Sequence, residues 1–445
     1  MKILLVGHAC SPRQGSEPAN TWNWAWNLSQ NHQVCALAHP HDREGVDEFL
    51  AAHPNPNLRF VWVKPPQWLD PWNPKQGERF IRLHYILWQR EAFQEASRLL
   101  RERAFDVVHH VSWGTVSAPP LLWRLPVPFV WGPVGGGQTT PASFLKYFGS
   151  ARPKEILRTV RVHLMHHMPN LQKAAAASAL VLAVNRETAN ILTLAGAREV
   201  RLFLDAGVTR AFLPEHSLPK KPSKRFTLFW AGRLESRKAL PLALEALSRI
   251  KEFPVQLIVA GDGPLRKKLE QLAIDLGLEG VVTFLGRVDW QKMPELFGQA
   301  DAFLFTSLRD AFGTQVLEAM AHSLPILTLN HQGVRDFVPD GAGIKVPVTT
   351  PEGTVADLAE AIVRLAESAE ERRRMGECGR KQAEDQSWEH RALKMSALYQ
   401  DVISASARNP RKGFEYDAAA RLGVPVQVDG LSHAGTGKDA EMRNS

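Results

Sequence analysis

Ala302-Phe-Leu-Phe-Thr306 is followed by Ser307-Leu-Arg-Asp310-Ala-Phe-Gly313-Thr-Gln-Val-Leu-Glu318, and the two parts of this stretch have different periodicities. Its first part is a short apolar run, typical of a buried strand, and its last part has the spacing of an amphipathic helix. In parallel α/β sheets, ligands bind at strand-to-helix turns, at the carboxyl ends of the strands. The stretch therefore predicts a parallel sheet with a ligand site around Gly313.

This turn has the chemistry for a ligand that carries both phosphate and hydroxyl groups. The first N–H groups of a helix lack intrahelical partners and lie at the positive end of its macrodipole, so they attract a phosphate without a metal. Gly313, between Phe312 and Thr314, lets a ligand approach the backbone closely. The carboxylates of Asp310 and Glu318 accept hydrogen bonds from hydroxyls, so a nucleotide sugar fits. The alternative is a helix-capping acid and a solvated glutamate without a ligand.

Short apolar runs alternate with helical stretches along the whole chain, which predicts parallel sheets with crossover helices. A Pro-, Lys- and Ser-rich linker, Pro214 to Ser223, separates two sets of runs. The runs are Ile3 to Val6, Val34 to Ala38, Phe60 to Val63, Val107 to Val111, Phe129 to Trp131 and Leu180 to Val184, then Phe226 to Trp230, Val255 to Ala260, Val281 to Phe284, Ala302 to Thr306 and Ile326 to Leu329. We therefore predict an α/β fold of two Rossmann-like α/β/α domains that face each other across a cleft.

The length supports this division, because 445 residues exceed what one hydrophobic core usually serves. We assign residues 1–215 to an N-terminal domain and 216–385 to a C-terminal domain. Residues 386–408 contain a terminal helix, predicted over Trp388 to Ile403. The Gly- and charge-rich composition of residues 409–445 predicts a disordered tail.

Two cations follow the first strand of the second domain. Gly232 ends that strand, and Arg233 and Lys238 come just after it. Cations at this position can neutralise a diphosphate and stabilise the charge on a departing nucleotide. The alternative interpretation is a solvated basic turn.

Two further strands of the second domain also end in glycines. Gly261-Asp-Gly-Pro264 precedes a helix predicted over Leu265 to Leu276, and Pro264 suits the first turn of that helix. Its role is to shape the turn. Gly286-Arg-Val288 ends the next strand, where backbone groups can pair with the edge of a base.

The first half offers three candidate motifs. The loop Gly7 to Pro18 contains Gly15 but not the G-x-G-x-x-G spacing of a dinucleotide-binding dehydrogenase. His109 and His110 lie at a strand end, and because neighbouring strand residues face opposite sides, only one of them is expected in the cleft. The alternative is a histidine in the core. The run Gly135 to Gly137 can bind an anion through its amides or form a mobile loop.

Together the motifs resemble the retaining glycosyltransferases of family 4, which have the GT-B architecture. The stretch from Asp310 to Glu318 is similar to the family's Glu-x7-Glu signature, with an aspartate in place of the first glutamate. The motifs at Gly232 to Lys238, Gly261 to Pro264 and Phe284 to Val288 precede it in the family's order. Gly15-Ser-Glu is similar to a loop in one branch of these enzymes.

The resemblance implies a role for each candidate residue. The catalytic set is Arg233 and Lys238 on the leaving diphosphate, Asp310 on the hydroxyls of the donor sugar, and His110 near that sugar. Glu318 holds the ribose. The remaining donor-binding residues are Gly15, His109, Gly232, Gly286, Val288, Phe312, Gly313 and Thr314.

The resemblance also implies how the domains divide the work. The N-terminal domain binds the acceptor, the C-terminal domain binds the nucleotide sugar, and the terminal helix crosses back to the N-terminal domain. The reaction retains the anomeric configuration and moves a sugar to a hydroxyl acceptor. The sequence contains no Asp-x-Asp metal motif, so we predict no cofactor and no metal, with cations and a helix N-terminus in the metal's place.

Composition bounds the partners and the compartment. The net charge of +8 indicates an anionic partner. We predict a nucleotide sugar in that role, and no nucleic acid. Cys10, Cys35 and Cys378 have no metal-ligand spacing and cannot all pair, which fits a reducing compartment. No apolar run approaches the about 20 residues of a membrane span, and we predict a cytoplasmic protein.

One basic amphipathic segment, Ala142 to Lys173, predicts that the protein contacts the inner face of an anionic cell membrane. It holds six Lys or Arg residues and one acid, Glu155. Its apolar stripe comprises Ile156, Val160, Leu164, Met168 and Leu171, and a second stripe comprises Phe80, Leu83 and Leu87. Such contact implies a lipid-linked or glycoconjugate acceptor, whereas the alternative is that both stripes are core faces.

Two other functions are compatible with the sequence. The family commonly has a paired glycine and a glutamate in the loop Asn330 to Asp336, whereas this chain has one glycine, Gly333, and Asp336. That departure and the aspartate at position 310 fit a catalytically silent GT-B protein that binds a nucleotide sugar or acts as a scaffold. A GT-B epimerase of nucleotide sugars needs no acceptor. The sugar, the base and the oligomeric state cannot be read from the sequence.

Overall fold

A computed structural model describes residues 1–15, 17–72, 77, 79–209, 212–213 and 225–408. The predicted linker, Pro214 to Ser223, and the predicted tail, 409–445, lie outside these residues.

The first half forms a sheet of seven parallel strands in the order β3-β2-β1-β4-β5-β6-β7. The strands are β1 (Lys2–Gly7), β2 (Gln33–Ala38), β3 (Leu58–Trp62), β4 (Val107–Ser112), β5 (Phe129–Val134), β6 (Leu180–Ala183) and β7 (Val200–Leu202). All six predicted runs are strands. The three-residue edge strand β7 was not predicted, because it has a half-exposed and two exposed residues and lacks a buried apolar run.

The second half forms a separate sheet of six parallel strands in the order β10-β9-β8-β11-β12-β13. The strands are β8 (Phe226–Ala231), β9 (Val255–Ala260), β10 (Val282–Gly286), β11 (Ala302–Phe305), β12 (Ile326–Leu329) and β13 (Gly343–Val346). The five predicted runs are confirmed. The short edge strand β13 was missed, since its sequence Gly-Ile-Lys-Val has no continuous apolar run.

Helices connect the strands and cover both sheets. In the first half they are α1 (Glu17–Leu28), α2 (Arg43–Ala52), α3 (Ile81–Glu102), α4 (Arg152–Leu164), α5 (Pro169–Ala177) and α6 (Arg186–Leu194). In the second half they are α7 (Leu240–Ser248), α8 (Arg266–Asp275), α9 (Met293–Gln299), α10 (Thr314–Ala321), α11 (Gln332–Phe337), α12 (Pro351–Glu367), α13 (Ala369–Asp385) and α14 (Trp388–Arg408). The predicted α/β fold, with two parallel sheets covered by helices, is confirmed.

Alternation along β1 shows how the first sheet is buried on both faces. Leu4 and Val6 pack in one cluster with residues of α3, α5 and α6. Ile3 and Leu5 pack in another cluster with residues of α1 and α14. Because successive strand residues point to opposite faces, a continuous apolar run is needed to fill both layers.

The terminal helix α14 returns to the first domain. The ring of Trp388 lies 5.2 Å from that of Trp24 on α1. The hydroxyl of Tyr399 lies 2.6 Å from Nδ1 of His109 on β4. The helix is therefore part of the core beneath the first sheet, although it follows the second domain in the chain.

The basic segment after residue 142 is not one continuous helix. Prolines at positions 153 and 169 begin α4 and α5, since proline suits the first turn of a helix and disrupts its interior. Before α4, Phe144 and Phe148 are buried in the core of the second domain. This part of the segment therefore joins the two domains, which corrects the prediction that the whole segment faces a membrane.

Candidate functional site

A cavity of about 680 Å³ opens at the carboxyl ends of β8, β9 and β10. Its volume lies within the range of about 300–1,000 Å³ that is usual for small-molecule sites. The second domain contributes Ala231, Gly232, Arg233, Ala260, Gly261, Asp262, Gly263, Arg287, Val288, Trp290, Met293, Thr314, Gln315 and Glu318. The first domain contributes Gly15, so the cavity is shared between the two domains.

A smaller cavity of about 60 Å³ adjoins the first along the domain boundary. Gly15, Trp290, Thr314 and Glu318 line both cavities. The first domain adds residues of α1, and the crossover between the domains adds Ala206 to Thr209. The sequence motifs of the two halves therefore meet at one place.

Glycines allow the loops around the cavity to approach one another. Gly313 has φ of 105°, and a Cβ on it would lie 2.7 Å from Cζ of Phe305. A Cβ on Gly261 would overlap the carbonyl oxygen of Gly232. The Gly261 loop thus packs directly on the turn that carries Arg233, which agrees with its predicted shaping role.

The N-terminus of α10 faces the cavity. Thr314 begins this helix, and no side chain caps it. Thr314 and Gln315 both line the cavity. N–H groups of a first helical turn have no intrahelical partner, so this end of α10 can donate hydrogen bonds to an anion.

The two predicted cations have different environments. Arg233 is exposed and lines the cavity. Lys238 is buried, and its ammonium forms an ion pair with the carboxylate of Asp310 while lying 5.2 Å from the ring centre of Phe305. Arg233 is therefore accessible to a diphosphate, whereas Lys238 already has an anionic partner.

Asp310 lies in a network of hydrogen bonds and charges. Its Oδ2 lies 3.3 Å from Nη1 of Arg237 and 3.3 Å from the hydroxyl of Ser307, and its Oδ1 accepts a 3.0 Å bond from the amide of Ala311. Burial raises the pKa of Asp310, but Lys238 and Arg237 outweigh this, so the pKa is below its ordinary value. Asp310 is therefore a carboxylate at neutral pH.

Glu318 is the second acid of the signature, and it lies on the wall of the cavity. The indole Nε1 of Trp290 lies 3.4 Å from its Oε1. Burial raises the pKa of Glu318 to about 7, although the bond from Trp290 acts in the opposite direction. The two acids therefore differ in ionisation because only Asp310 has cationic partners.

The other predicted donor residues divide into two groups. Gly15, Gly232, Val288 and Thr314 line the cavity. Gly313 caps the helix behind it, and the side chain of Phe312 is buried in the core of the second domain. Gly286 does not line the cavity, because it ends β10 and its carbonyl accepts a 2.8 Å bond from the amide of Gly261. Its predicted contact with the base stays a prediction.

The structure places neither histidine of β4 in the cavity. His109 is fully buried, with Nδ1 2.6 Å from the Tyr399 hydroxyl and Nε2 2.6 Å from the carbonyl oxygen of Gly132. His110 is buried on the other face, with Nε2 3.0 Å from the hydroxyl of Tyr85. Burial lowers the pKa of His109 to about 4 and that of His110 to about 3. The predicted roles of both are corrected to core positions.

The loop from Asn330 to Asp336 contacts both the stretch from Asp310 to Glu318 and the first domain. Gln332 accepts a 2.8 Å bond from the amide of Asp310 and donates a 2.9 Å bond to the carbonyl oxygen of Thr139. The buried carboxylate of Asp336 lies 3.1 Å from Nε of Arg186 on α6. The departure of this loop from the family pattern therefore corresponds to an interdomain contact.

Three residues near the site were not predicted. Arg237 contacts Asp310, and Trp290 contacts Glu318. Asp205 follows β7, and burial raises its pKa, with the charge of Asp310 adding to the effect. Arg237 lies between the predicted cations Arg233 and Lys238 in the sequence, so its charge could have indicated a role at the site. The other two lie in loops without a distinctive pattern.

The cavity walls hold two acids, Asp262 and Glu318. Elsewhere, on the first domain, His8, His39 and His84 bring three possible metal-ligating nitrogens within 4.8 Å of one another. No local pattern indicates this cluster, since its members are far apart in the chain.

Among the described residues, no helix combines the length and apolar character that crossing a membrane requires.

The second domain matches a known protein family. Residues 215–382 match the family described as Glycosyl transferases group 1. This region includes Arg233, Lys238, Asp310 and Glu318. The resemblance found in the sequence is confirmed at the level of this domain.

Curated relatives match over part of their length. Alpha-D-kanosaminyltransferase of Streptomyces kanamyceticus is 30% identical over 178 residues, which are 39% of this chain and 44% of the relative. The lipopolysaccharide core biosynthesis glycosyltransferase LpsE of Rhizobium meliloti (strain 1021) is 30% identical over 185 residues, 41% of this chain and 52% of the relative. The matching region therefore spans about half the length of these relatives.

Solved structures match over both domains. Sucrose-phosphate synthase from Thermosynechococcus elongatus has a TM-score of 0.62 at 17% identity, covering 91% of this chain and 100% of that one. Anabaena HepE in complex with UDP and glucose has a TM-score of 0.58 at 16% identity, covering 90% and 100%. At these identities the likeness concerns the fold.

Proposed function

We propose that this chain, whose residues 215–382 match the Glycosyl transferases group 1 family, transfers a sugar from a nucleotide diphosphate sugar to a hydroxyl acceptor. The observation that carries this proposal is the 680 Å³ cavity, where Arg233, the N-terminus of α10 and Glu318 meet Gly15 of the first domain. A cation and free amides suit a diphosphate, and a carboxylate suits a ribose.

In this proposal the leaving diphosphate lies between Arg233 and the start of α10. Both stabilise negative charge that grows as the bond to the sugar breaks, which lowers the barrier of the chemical step. Glu318, in its ionised form, accepts bonds from the ribose hydroxyls. Lys238 and Arg237 hold Asp310 in position toward the donor sugar. No step of this assignment requires a metal ion.

The resemblance supports retention of configuration at the anomeric carbon. The stereochemistry can be read by proton NMR from the anomeric signal of the glycoside product, which does not mutarotate because its anomeric carbon is an acetal. An axial donor that yields an equatorial product would contradict retention. Donor binding is expected to persist in excess chelator, since protein cations replace the metal.

The acceptor is proposed to enter a second cavity of about 880 Å³ between the domains. Arg158 of α4 and Arg237 and Arg309 of the second domain line it. Arg237 also lies 3.3 Å from Asp310, so this cavity borders the acid of the donor site. Glu155, Glu235 and Glu245 also line it, and two of them pair with Arg309 and Arg237. The lining nevertheless has more cations than acids, since it also includes Lys146, Lys154 and Lys268. This excess favours an acceptor with an anionic group, such as a phosphate of a lipid-linked intermediate.

The outer face of α4 supports contact with an anionic membrane surface. Leu157 is 70% exposed and Leu164 is 58% exposed, and the basic residues Arg152, Lys154 and Arg161 are exposed beside them. Leu171 of the first predicted stripe is buried, whereas Phe80 and Leu83 of the second predicted stripe are exposed. An exposed apolar face with flanking cations is the pattern of an interfacial helix.

Donor binding is tested by thermal melting with a panel of nucleotide sugars, beginning with UDP-glucose. A ligand that binds only the folded state raises the melting temperature. Arg233→Ala should abolish the increase, whereas Arg101→Ala, which removes an exposed cation at the end of α3, should preserve it. If no donor stabilises the wild type, or if Arg233→Ala responds like wild type, the donor site is wrongly assigned.

Release of free nucleotide separates the proposed transferase from its alternatives. A transferase releases nucleotide faster when a lipid extract supplies an acceptor. A silent binding protein shows stabilisation without release, and an epimerase interconverts nucleotide sugars without an acceptor.

Sedimentation with anionic vesicles tests the membrane contact. Leu157→Glu on α4 should reduce binding to the vesicles, whereas Leu194→Glu, at a similarly exposed leucine of α6, should not.

A further inference from the structure

Three histidines converge at the carboxyl end of the first sheet. His8 follows β1, His39 follows β2, and the amide of His39 donates a 2.9 Å bond to the carbonyl oxygen of His8. His84 reaches them from α3. One nitrogen of each side chain lies within 4.8 Å of the other two, and Nε2 of His8 is 2.9 Å from Nε2 of His84.

Asp70 fixes the ring of His84. Its two carboxylate oxygens lie 2.9 and 2.8 Å from Nδ1 of His84. A proton on Nδ1 is donated to Asp70, so Nε2 keeps its lone pair and faces the cluster. This carboxylate–histidine arrangement orients the ligands of many metal sites.

The other two histidines have nitrogens with no partner among the described residues. Nδ1 of His8 and Nδ1 of His39 are buried and accept or donate no hydrogen bond there. His8 itself is 4% exposed. Buried polar atoms are normally paired, so these two nitrogens need a reason to be unpaired. A cation bound through Nδ1 of His39 supplies that reason for His39. It does not supply one for His8, whose Nε2 is the nitrogen that faces His84.

We propose that His8, His39 and His84 bind one divalent transition-metal ion, with Zn²⁺ as the ion that suits the site. Imidazole nitrogens are preferred ligands of Zn²⁺, and Mg²⁺ and Ca²⁺ prefer oxygen ligands. The ion replaces the proton between Nε2 of His8 and Nε2 of His84. Three protein ligands leave a fourth position of a tetrahedral ion for water or another small ligand.

Aromatic rings enclose this site. The ring centre of His8 lies 5.0 Å from that of Trp88 and 5.6 Å from that of Tyr85, and His84 lies 4.5 Å from Trp72. An apolar shell limits access of water and strengthens the bonds between ion and ligands. The three histidines do not line the donor cavity. The site is therefore separate from the proposed transfer chemistry and would survive its rejection.

Full-length protein without a histidine tag is stripped with a chelator, dialysed and titrated with ZnCl₂ against a chromophoric competitor. Wild type is expected to bind one Zn²⁺ per chain and to melt at a higher temperature when loaded. His39→Ala is the first variant, because His39 is only half-buried and its removal is the least disruptive to folding. We expect it to weaken binding more than a hundredfold, and Asp70→Asn to weaken it about 10- to 100-fold.

A matched control removes two histidines elsewhere. His166 and His167 have ring centres 3.9 Å apart on the segment after α4, and the double change to alanine should leave Zn²⁺ binding unaltered. Substitution with Co²⁺ should give the spectrum of a tetrahedral nitrogen site without a thiolate band. Wild type that binds no stoichiometric Zn²⁺, or folded His39→Ala and His39→Gln variants that bind it like wild type, would overturn the proposal.

Discussion

The ammonium of Lys238 is paired with the carboxylate of Asp310. The family resemblance assigns these residues different ligands, the diphosphate and the donor sugar, yet in the structure each is the other's partner. Arg237 contacts the same carboxylate at 3.3 Å. The network therefore sets the charge and position of the acid before any donor arrives. The exposed cations that line the cavity are Arg233 and Arg287.

Removing Lys238 should cost more stability than removing the pair. Lys238→Met leaves a mostly buried carboxylate with only Arg237 beside it, so we expect a loss of about 3 kcal/mol in the free energy of unfolding. Adding Asp310→Asn should recover part of that loss. Urea unfolding of the two single variants and the double variant gives the coupling between the residues. Strictly additive losses would show that the pair contributes nothing.

Donor affinity should rise with pH through the ionisation of Glu318. Its pKa is raised to about 7, and a ribose requires the ionised acceptor. Binding of UDP-glucose should strengthen by up to about tenfold per pH unit below pH 7 and then level off. Calorimetry from pH 5.5 to 8.5 should show this slope in wild type and a flat profile in Glu318→Gln. The same slope in the variant would assign the titration to another group.

The same residue should affect stability in the opposite direction. Because the folded pKa of Glu318 lies above its unfolded value, its contribution to stability is complete below the unfolded pKa and is lost as the pH rises through about 7. The melting temperature of Glu318→Gln relative to wild type should therefore increase between pH 5 and pH 8. A constant difference across this range would contradict the raised pKa.

Gly15, which lines the cavity, and Gly313, which lies behind it, should respond differently to a side chain. Gly313→Ala places Cβ 2.7 Å from the ring of Phe305 at a positive φ, so we expect about 1–3 kcal/mol of strain and weaker donor binding. A Cβ on Gly15 would meet no atom within 4 Å. Gly15→Leu should therefore change stability by less than about 0.5 kcal/mol while it obstructs the donor. Equal melting temperatures and donor affinities for both variants would contradict this distinction.

The domains should separate when the Asp336 contact is removed. Asp336→Asn eliminates the charge that pairs with Arg186 across the boundary. We expect a larger radius of gyration by small-angle X-ray scattering and a return toward the wild-type value when donor binds. Lys345 pairs with the exposed Asp340 within the second domain, so Asp340→Asn is the control. An unchanged radius in Asp336→Asn would show that other contacts hold the domains together.

The sequence was a good guide wherever function depends on local pattern. Apolar runs predicted eleven of the strands, because a strand buried on both faces has to be continuously apolar. Strand-end chemistry indicated Arg233 and Glu318, the family resemblance added Gly15, and all three line one cavity. The edge strands β7 and β13 were not predicted, since an edge strand needs little apolar surface.

Predictions that depended on the direction of a side chain succeeded less often. His109 and His110 lie at the end of a strand, where site residues are expected. The hydroxyl of Tyr399 on α14 contacts Nδ1 of His109, and the hydroxyl of Tyr85 on α3 contacts Nε2 of His110. The tyrosine on α14 is 290 residues further along the chain. The sequence near the histidines does not indicate such a partner.

The fold class follows from the sequence, because the periodicity of apolar runs is encoded locally. The pairing of Lys238 with Asp310, the contact of Asp336 with the first domain, and the convergence of His8, His39 and His84 depend on the tertiary structure. These relationships join residues from distant parts of the chain. Their distances follow from sheet order and helix packing, which fix position only after the whole chain has folded.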